Sequence, residues 1–95
     1  MALVLTRKSG ESIVFKDKKS GQSITATLMR ITNDKQAWVR FAVGPHAEER
    51  YLKRNEEVTF FDGNFFLDIK DGNTIARFVC EFPININIAR KELLK

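Results

Sequence analysis

The sequence predicts an all-β protein, mainly small antiparallel sheets forming a barrel-like sandwich, closed by a short C-terminal helix. Three observations carry that expectation: several short runs alternate apolar with polar or β-branched residues, Asp62-Gly63 and Asp71-Gly72 mark tight turns, and a helical pattern is confined to Ala89-Arg90-Lys91-Glu92-Leu93-Leu94-Lys95.

The first strand is expected around Leu3-Val4-Leu5. Its consecutive apolar residues predict a central strand with both faces covered. Arg7 and Lys8 follow on opposite sides of the extended chain, and Gly10 allows reversal. Ser12-Ile13-Val14-Phe15 returns as a second strand. The stretch Lys16 to Gln22 is a polar loop read as a flexible solvated tip, with phosphate contact by its three lysines as the alternative. Ile24, Ala26 and Leu28 alternate as a third strand, and Asn33 to Gln36 turns the chain. In the next strand Val39, Phe41 and Val43 share one face and Trp38, Arg40 and Ala42 the other, until Gly44-Pro45.

Residues 46–57 are ambiguous. Ala47, Tyr51 and Val58 have helical spacing and Glu49 precedes Lys53 by four, yet Arg50-Tyr51-Leu52 reads equally as strand. From Val58 the pattern is β, through Phe65-Phe66-Leu67-Asp68-Ile69 and then Thr74 to Phe82. In the final strand Ile84, Ile86 and Ile88 face one way, Asn85 and Asn87 the other.

At 95 residues the chain makes one domain, or two very small lobes sharing a core. Its 43% hydrophobic content with eight Phe is enough for a core, in which Phe60, Phe61, Phe65 and Phe66 are expected. The net charge of +4 and a pI near 9.5 favour a polyanionic partner. A single cysteine, Cys80, excludes an intrachain disulfide and fits a reducing cytoplasm, where it is read as a small core residue. The apolar opening ends at Thr6-Arg7-Lys8, too short for a signal-peptide core, and no stretch is long enough to span a membrane.

Leu5-Thr6-Arg7-Lys8 followed by Gly10-Glu11 resembles the opening of the bacterial carbon storage regulator family (CsrA/RsmA), whose chains run from an apolar strand into Leu-Thr-Arg-Arg and then Gly-Glu. The closing stretch resembles the end of the same family: Gly72-Asn73, Pro83, Ile86, Ile88, Arg90, Glu92 and Leu93 stand in the places of its motif. Arg90 lies seven positions after Pro83, the family's own spacing. The likeness covers about residues 3–15 and 64–94.

That resemblance implies a CsrA-like fold and a cytoplasmic translational regulator that binds GGA-bearing hairpin loops in messenger or small RNA, with no cofactor and no metal. In the family the first strand of one subunit lies beside the last strand of the other at the RNA site. Carried over by position, Leu5, Thr6, Arg7 and Lys8 make one wall and Ile86, Ile88 and Arg90 the other. The residue types suit the task, because strand edges hydrogen-bond unstacked bases and arginine pairs with phosphate or guanine. Three positions depart from the family: Ala89 replaces its usual histidine, Ile84 its common lysine and Phe78 a usual glycine.

Two architectures fit the middle of the chain. Val39 to Pro45 resembles the same family strand as Ile75 to Pro83, so residues 23–58 and 64–94 read as a degenerate repeat with one copy of the first strand. The chain is then an internally fused pseudo-dimer whose first strand pairs with its own last strand. Alternatively, an ordinary family domain carries an insertion at about 16–63 and forms a homodimer.

No enzyme is expected: His46 is isolated, Cys80 has no partner in sequence, and neither a carboxylate pair nor a phosphate-cradling glycine loop appears. Trp38 is read as a packing residue, with base stacking as the alternative. The competing function is a protein-interaction β module of the same fold that has lost RNA binding, consistent with Ala89 and Ile84.

Overall fold

Alternating side chains need an apolar space on one side only, and the chain supplies it by stacking two sheets. A computed structural model describes residues 2–33, 36–69 and 75–90. Every regular element among these is a strand: β1 (Ala2–Lys8), β2 (Ser12–Asp17), β3 (Ser23–Asn33), β4 (Gln36–Val43), β5 (His46–Lys53), β6 (Val58–Phe60), β7 (Gly63–Ile69), β8 (Ile75–Glu81) and β9 (Ile86–Arg90). Sheet one has the order β1-β8-β7-β6 and sheet two β5-β4-β3-β2-β9, with all neighbours antiparallel.

The core lies between the sheets. Ile13, Phe15, Ala26, Leu28 and Val39 meet Phe65, Leu67, Ala76, Phe78 and Cys80, all fully buried. Phe15 anchors the contact, its ring 5.0 Å from Phe60, 5.8 Å from Phe65 and 5.1 Å from Phe82. Such offset and edge-on arrangements suit the charge distribution of aromatic rings.

Two turns are built alike. At the first, the Lys8 N–H donates to Glu11 Oε1 at 2.7 Å, and the Glu11 N–H returns to the Lys8 carbonyl at 3.0 Å. Gly10, at φ 91°, donates to the Leu28 carbonyl on β3. Forty-five positions on, the Lys53 N–H donates to Glu56 Oε1 and the Glu56 N–H to the Lys53 carbonyl, both at 3.0 Å. Asn55, at φ 64°, donates to Leu67 on β7. After each turn an apolar residue and a phenylalanine face the core: Ile13 and Phe15, then Val58 and Phe60. The two halves also exchange strands, since β1 lies on β8 and β5 lies on β4.

Several expectations are corrected. Strand β1 is an edge strand, not a central one: its inner row packs toward the core, while Val4 extends an apolar row with Val79 and Phe66 on the outer face of sheet one and stays half exposed. Apolar residues on both faces therefore did not mean burial on both. Strand β1 pairs with β8, and the last strand pairs with β2 instead. Residues 46–53 are strand, because β4 offers them a free edge. The predicted Asp62-Gly63 turn is centred one residue earlier: Phe61 and Asp62 hold φ of 51° and 61°, and Gly63 already pairs with Phe60. Ile84 is not in the last strand but at the tip of a turn closed by the Ile86 N–H on the Pro83 carbonyl. Phe66 lies outside the core cluster. Of the expected helix, Ala89 and Arg90 belong to β9, and residues 91–95, like the Asp71-Gly72 turn, lie outside the described residues.

Candidate functional site

Cross-strand partners share a face, so the pairing register gives the direction of each side chain. On β1, Leu3, Leu5 and Arg7 pair with the buried Cys80, Phe78 and Ala76, and therefore face the space between the sheets. On β9, Ile88 and Arg90 pair with the buried Phe15 and Ile13, which turns them and Ile86 toward the same space. Strands β1 and β9 are the edges of different sheets on one side of the sandwich. Leu3 joins Phe82, Pro83, Ile84, Ile86, Asn87 and Ile88 around an apolar groove of about 350 Å³ on that side.

Beyond the groove the two rows end in cations. Arg90 pairs with Ile13 near the start of β2, and Arg7 precedes the turn that leads into that strand. Their environments differ. Arg7 is 4% exposed, with Nε donating to the Thr6 carbonyl at 2.7 Å and lying 3.9 Å from Glu11 Oε1. Arg90 is exposed, as are Thr6 and Lys8 on the outer face of β1. Leu5 and Ile88 are half-buried against the core and Ile86 is buried.

Of the seven expected residues, Ile86 and Ile88 line the groove. Leu5 and Arg7 lie further along the inner row of β1, Thr6 and Lys8 are exposed on its outer face, and Arg90 is exposed at the end of β9. Sequence reasoning missed Leu3, which extends the floor, and the turn at Pro83 to Ile86 that shapes one end. The alternation of Leu3, Leu5 and Arg7 carried that signal.

The lysine loop beside this side is tied down by hydrogen bonds to Asp17. Asp17 accepts hydrogen bonds from the Lys19 N–H at 2.9 Å, the Ser20 hydroxyl at 3.0 Å and Asn85 Nδ2 at 3.1 Å. These hold its carboxyl below the usual carboxylate range, with the Lys19 N–H the largest cause. Cys80 is fully buried and burial pushes its thiol up to about 12, the state of an unreactive core cysteine. Among the described residues no cluster of three His, Cys, Asp or Glu side chains is placed to hold a metal ion, and no helix is long and apolar enough to cross a membrane. Compared with protein-family models, with curated proteins and with solved structures, the chain finds no match.

Proposed function

We propose that this chain is an RNA-binding post-transcriptional regulator, a divergent and enlarged relative of the carbon storage regulator family, that takes a GGA-containing hairpin loop between β1 and β9. The supporting observation is that the two stretches resembling that family, at opposite ends of the sequence, border one open side of the sandwich in a single chain. Two edge strands offer free backbone N–H and C=O groups to unstacked bases, and Lys8 and Arg90 supply charge for phosphate. One chain then carries one complete site, as the fused pseudo-dimer reading expects, although β1 and β9 flank it from different sheets rather than pairing.

A second reading also has an observation behind it. Ile84 is 97% exposed and Leu3 40%, an apolar rim to the groove that suits a protein partner better than a polyanion. A shift titration of a GGA hairpin against a scrambled loop at two salt concentrations separates the two. Equal affinity for both loops overturns the RNA reading. Chains carrying Lys8→Ala and chains carrying Arg90→Ala are then mixed: sites within a chain regain nothing, whereas recovered binding means the site forms between chains.

A further inference from the structure

The outer face of sheet two, away from the core, carries an aromatic pair set among cations. Trp38 on β4 pairs in register with Tyr51 on β5 and with Arg30 on β3, where a bulge at Met29 brings Arg30 onto the outer face. The two rings stack at 6.2 Å with an interplanar angle of 26°, and Tyr51 is 59% exposed. Arg40 lies two residues along β4 and Lys53 two along β5, both exposed. Among the described residues the acid in this patch is Glu49, opposite Arg40. Among the described residues Arg30, Arg40 and Lys53 make no ion pair.

We propose that this face is a second binding surface, for single-stranded nucleic acid, on which unpaired bases stack against Tyr51 and Trp38 while Arg30, Arg40 and Lys53 neutralise the flanking phosphates. A purely structural aromatic pair is best served by covering both rings, and here the outer ring stays largely uncovered. Ring faces bordered by unpaired cations match a ligand that is both flat and anionic, which an unpaired nucleotide strand is. An acidic peptide satisfies the charges but leaves the rings bare. The surface shares its ligand class with the β1–β9 reading and none of its residues.

Trp38 is the only tryptophan in the chain, so its emission reports on this face. Titrating an unstructured oligouridylate of about eight nucleotides is expected to quench Trp38 saturably. Tyr51→Ala and the double change Arg30→Gln with Arg40→Gln are each expected to weaken that binding roughly tenfold, Tyr51→Phe to retain it, and circular dichroism to stay that of the parent. Binding of the oligonucleotide by gel shift with Trp38 emission unmoved overturns the proposal. So does quenching insensitive to both variants, absence of any oligonucleotide binding, or equal quenching by polyglutamate. A hairpin without single-stranded flanks separates the two surfaces. Its binding intact while oligouridylate quenching fails removes this proposal alone, and the reverse removes the β1–β9 reading alone.

Discussion

Asn85 donates a hydrogen bond from Nδ2 to Asp17 Oδ1 at 3.1 Å, tying together two turns that are 68 positions apart in the chain. The backbone repeats the tie, since the Lys18 N–H donates to the Asn85 carbonyl at 3.0 Å. The loop after β2 and the turn before β9 thus form one unit at one end of the candidate site. A change in either is felt by the other.

Asp17 should make stability depend on pH. Its carboxyl titrates lower in the folded chain than the ordinary value of 3.8, first because of the Lys19 N–H. A carboxyl depressed on folding stabilises the fold above its unfolded value, and that contribution is lost as pH falls through the folded value. Asp17→Ala should therefore lower the thermal midpoint near neutral pH. The gap to the parent chain should close in acid below 3.8. A gap that persists there assigns the effect to packing instead.

The same hydrogen bonds bear on what Lys16, Lys18 and Lys19 do. Lys16 lies in β2, not in the expected loop, Lys18 and Lys19 lie in the loop held by Asp17, and all three side chains are exposed. Replacing the three with Gln should reduce the salt dependence of RNA binding, because fewer counterions are released, without altering preference for GGA over a scrambled loop. Loss of that preference puts the loop inside the specific site.

The β class was legible because alternation is strong where one face is buried: spacing groups Ala26 with Leu28 and Val39 with Phe41 and Val43, and Ala26, Leu28 and Val39 are fully buried while Val43, at the strand end, is exposed. Periodicity does not report what a strand pairs with. Leu3-Val4-Leu5 reads as central although β1 is an edge, and β5 reads ambiguously because its Glu48, Glu49 and Arg50 are exposed and only Leu52 is buried. The matching turns at Lys8 to Glu11 and Lys53 to Glu56 escaped notice for a similar reason. They share a Lys and a Glu three positions on, too short a pattern to stand out, and a backbone geometry reached with Gly10 in one and Asn55 in the other, two residues that both tolerate a positive φ. Of the expected site residues Ile86 and Ile88 line the groove, whereas burial of Arg7 follows from its register opposite Ala76, which alternation alone does not give.

Gly63 is needed for lack of a side chain rather than for its φ. A Cβ there meets the Phe82 ring and lies 2.6 Å from the Glu81 carbonyl oxygen. Gly63→Ala should cost about 1–3 kcal/mol, the range for overpacking a core. Adding Phe82→Leu should recover part of it. Unchanged stability on chemical denaturation means that β7 and β8 move apart freely at this point.

Cys80 should report on opening of the sandwich. Its Sγ lies 3.6 Å from the Phe78 carbonyl, and burial holds the thiol protonated up to about 12. Labelling by a disulfide reagent should follow opening of the core and accelerate with denaturant. Labelling of the native protein at the rate of a free cysteine contradicts the burial.

Arg7 and Arg90 should part company on mutation although both belong to the proposed site. Arg7 is buried, its Nε bonded to the Thr6 carbonyl, with the Glu11 carboxylate 3.9 Å away. Arg7→Ala should therefore lower stability by about 1–3 kcal/mol, the scale of a lost hydrogen bond from a charged donor. Arg7→Lys should not restore it, because an ammonium cannot reproduce the planar fork of the guanidinium. Arg90 is exposed at the end of β9, where truncation leaves the core intact. Arg90→Ala should leave the thermal midpoint unchanged and weaken binding of a GGA hairpin by about 1–3 kcal/mol, the loss of one charge-assisted contact. Thermal melts and hairpin titrations on both variants separate the two roles. Equal affinity in the folded Arg90→Ala chain removes that arginine from the RNA site, and a stable Arg7→Ala chain with weakened binding makes Arg7 a direct contact rather than a brace.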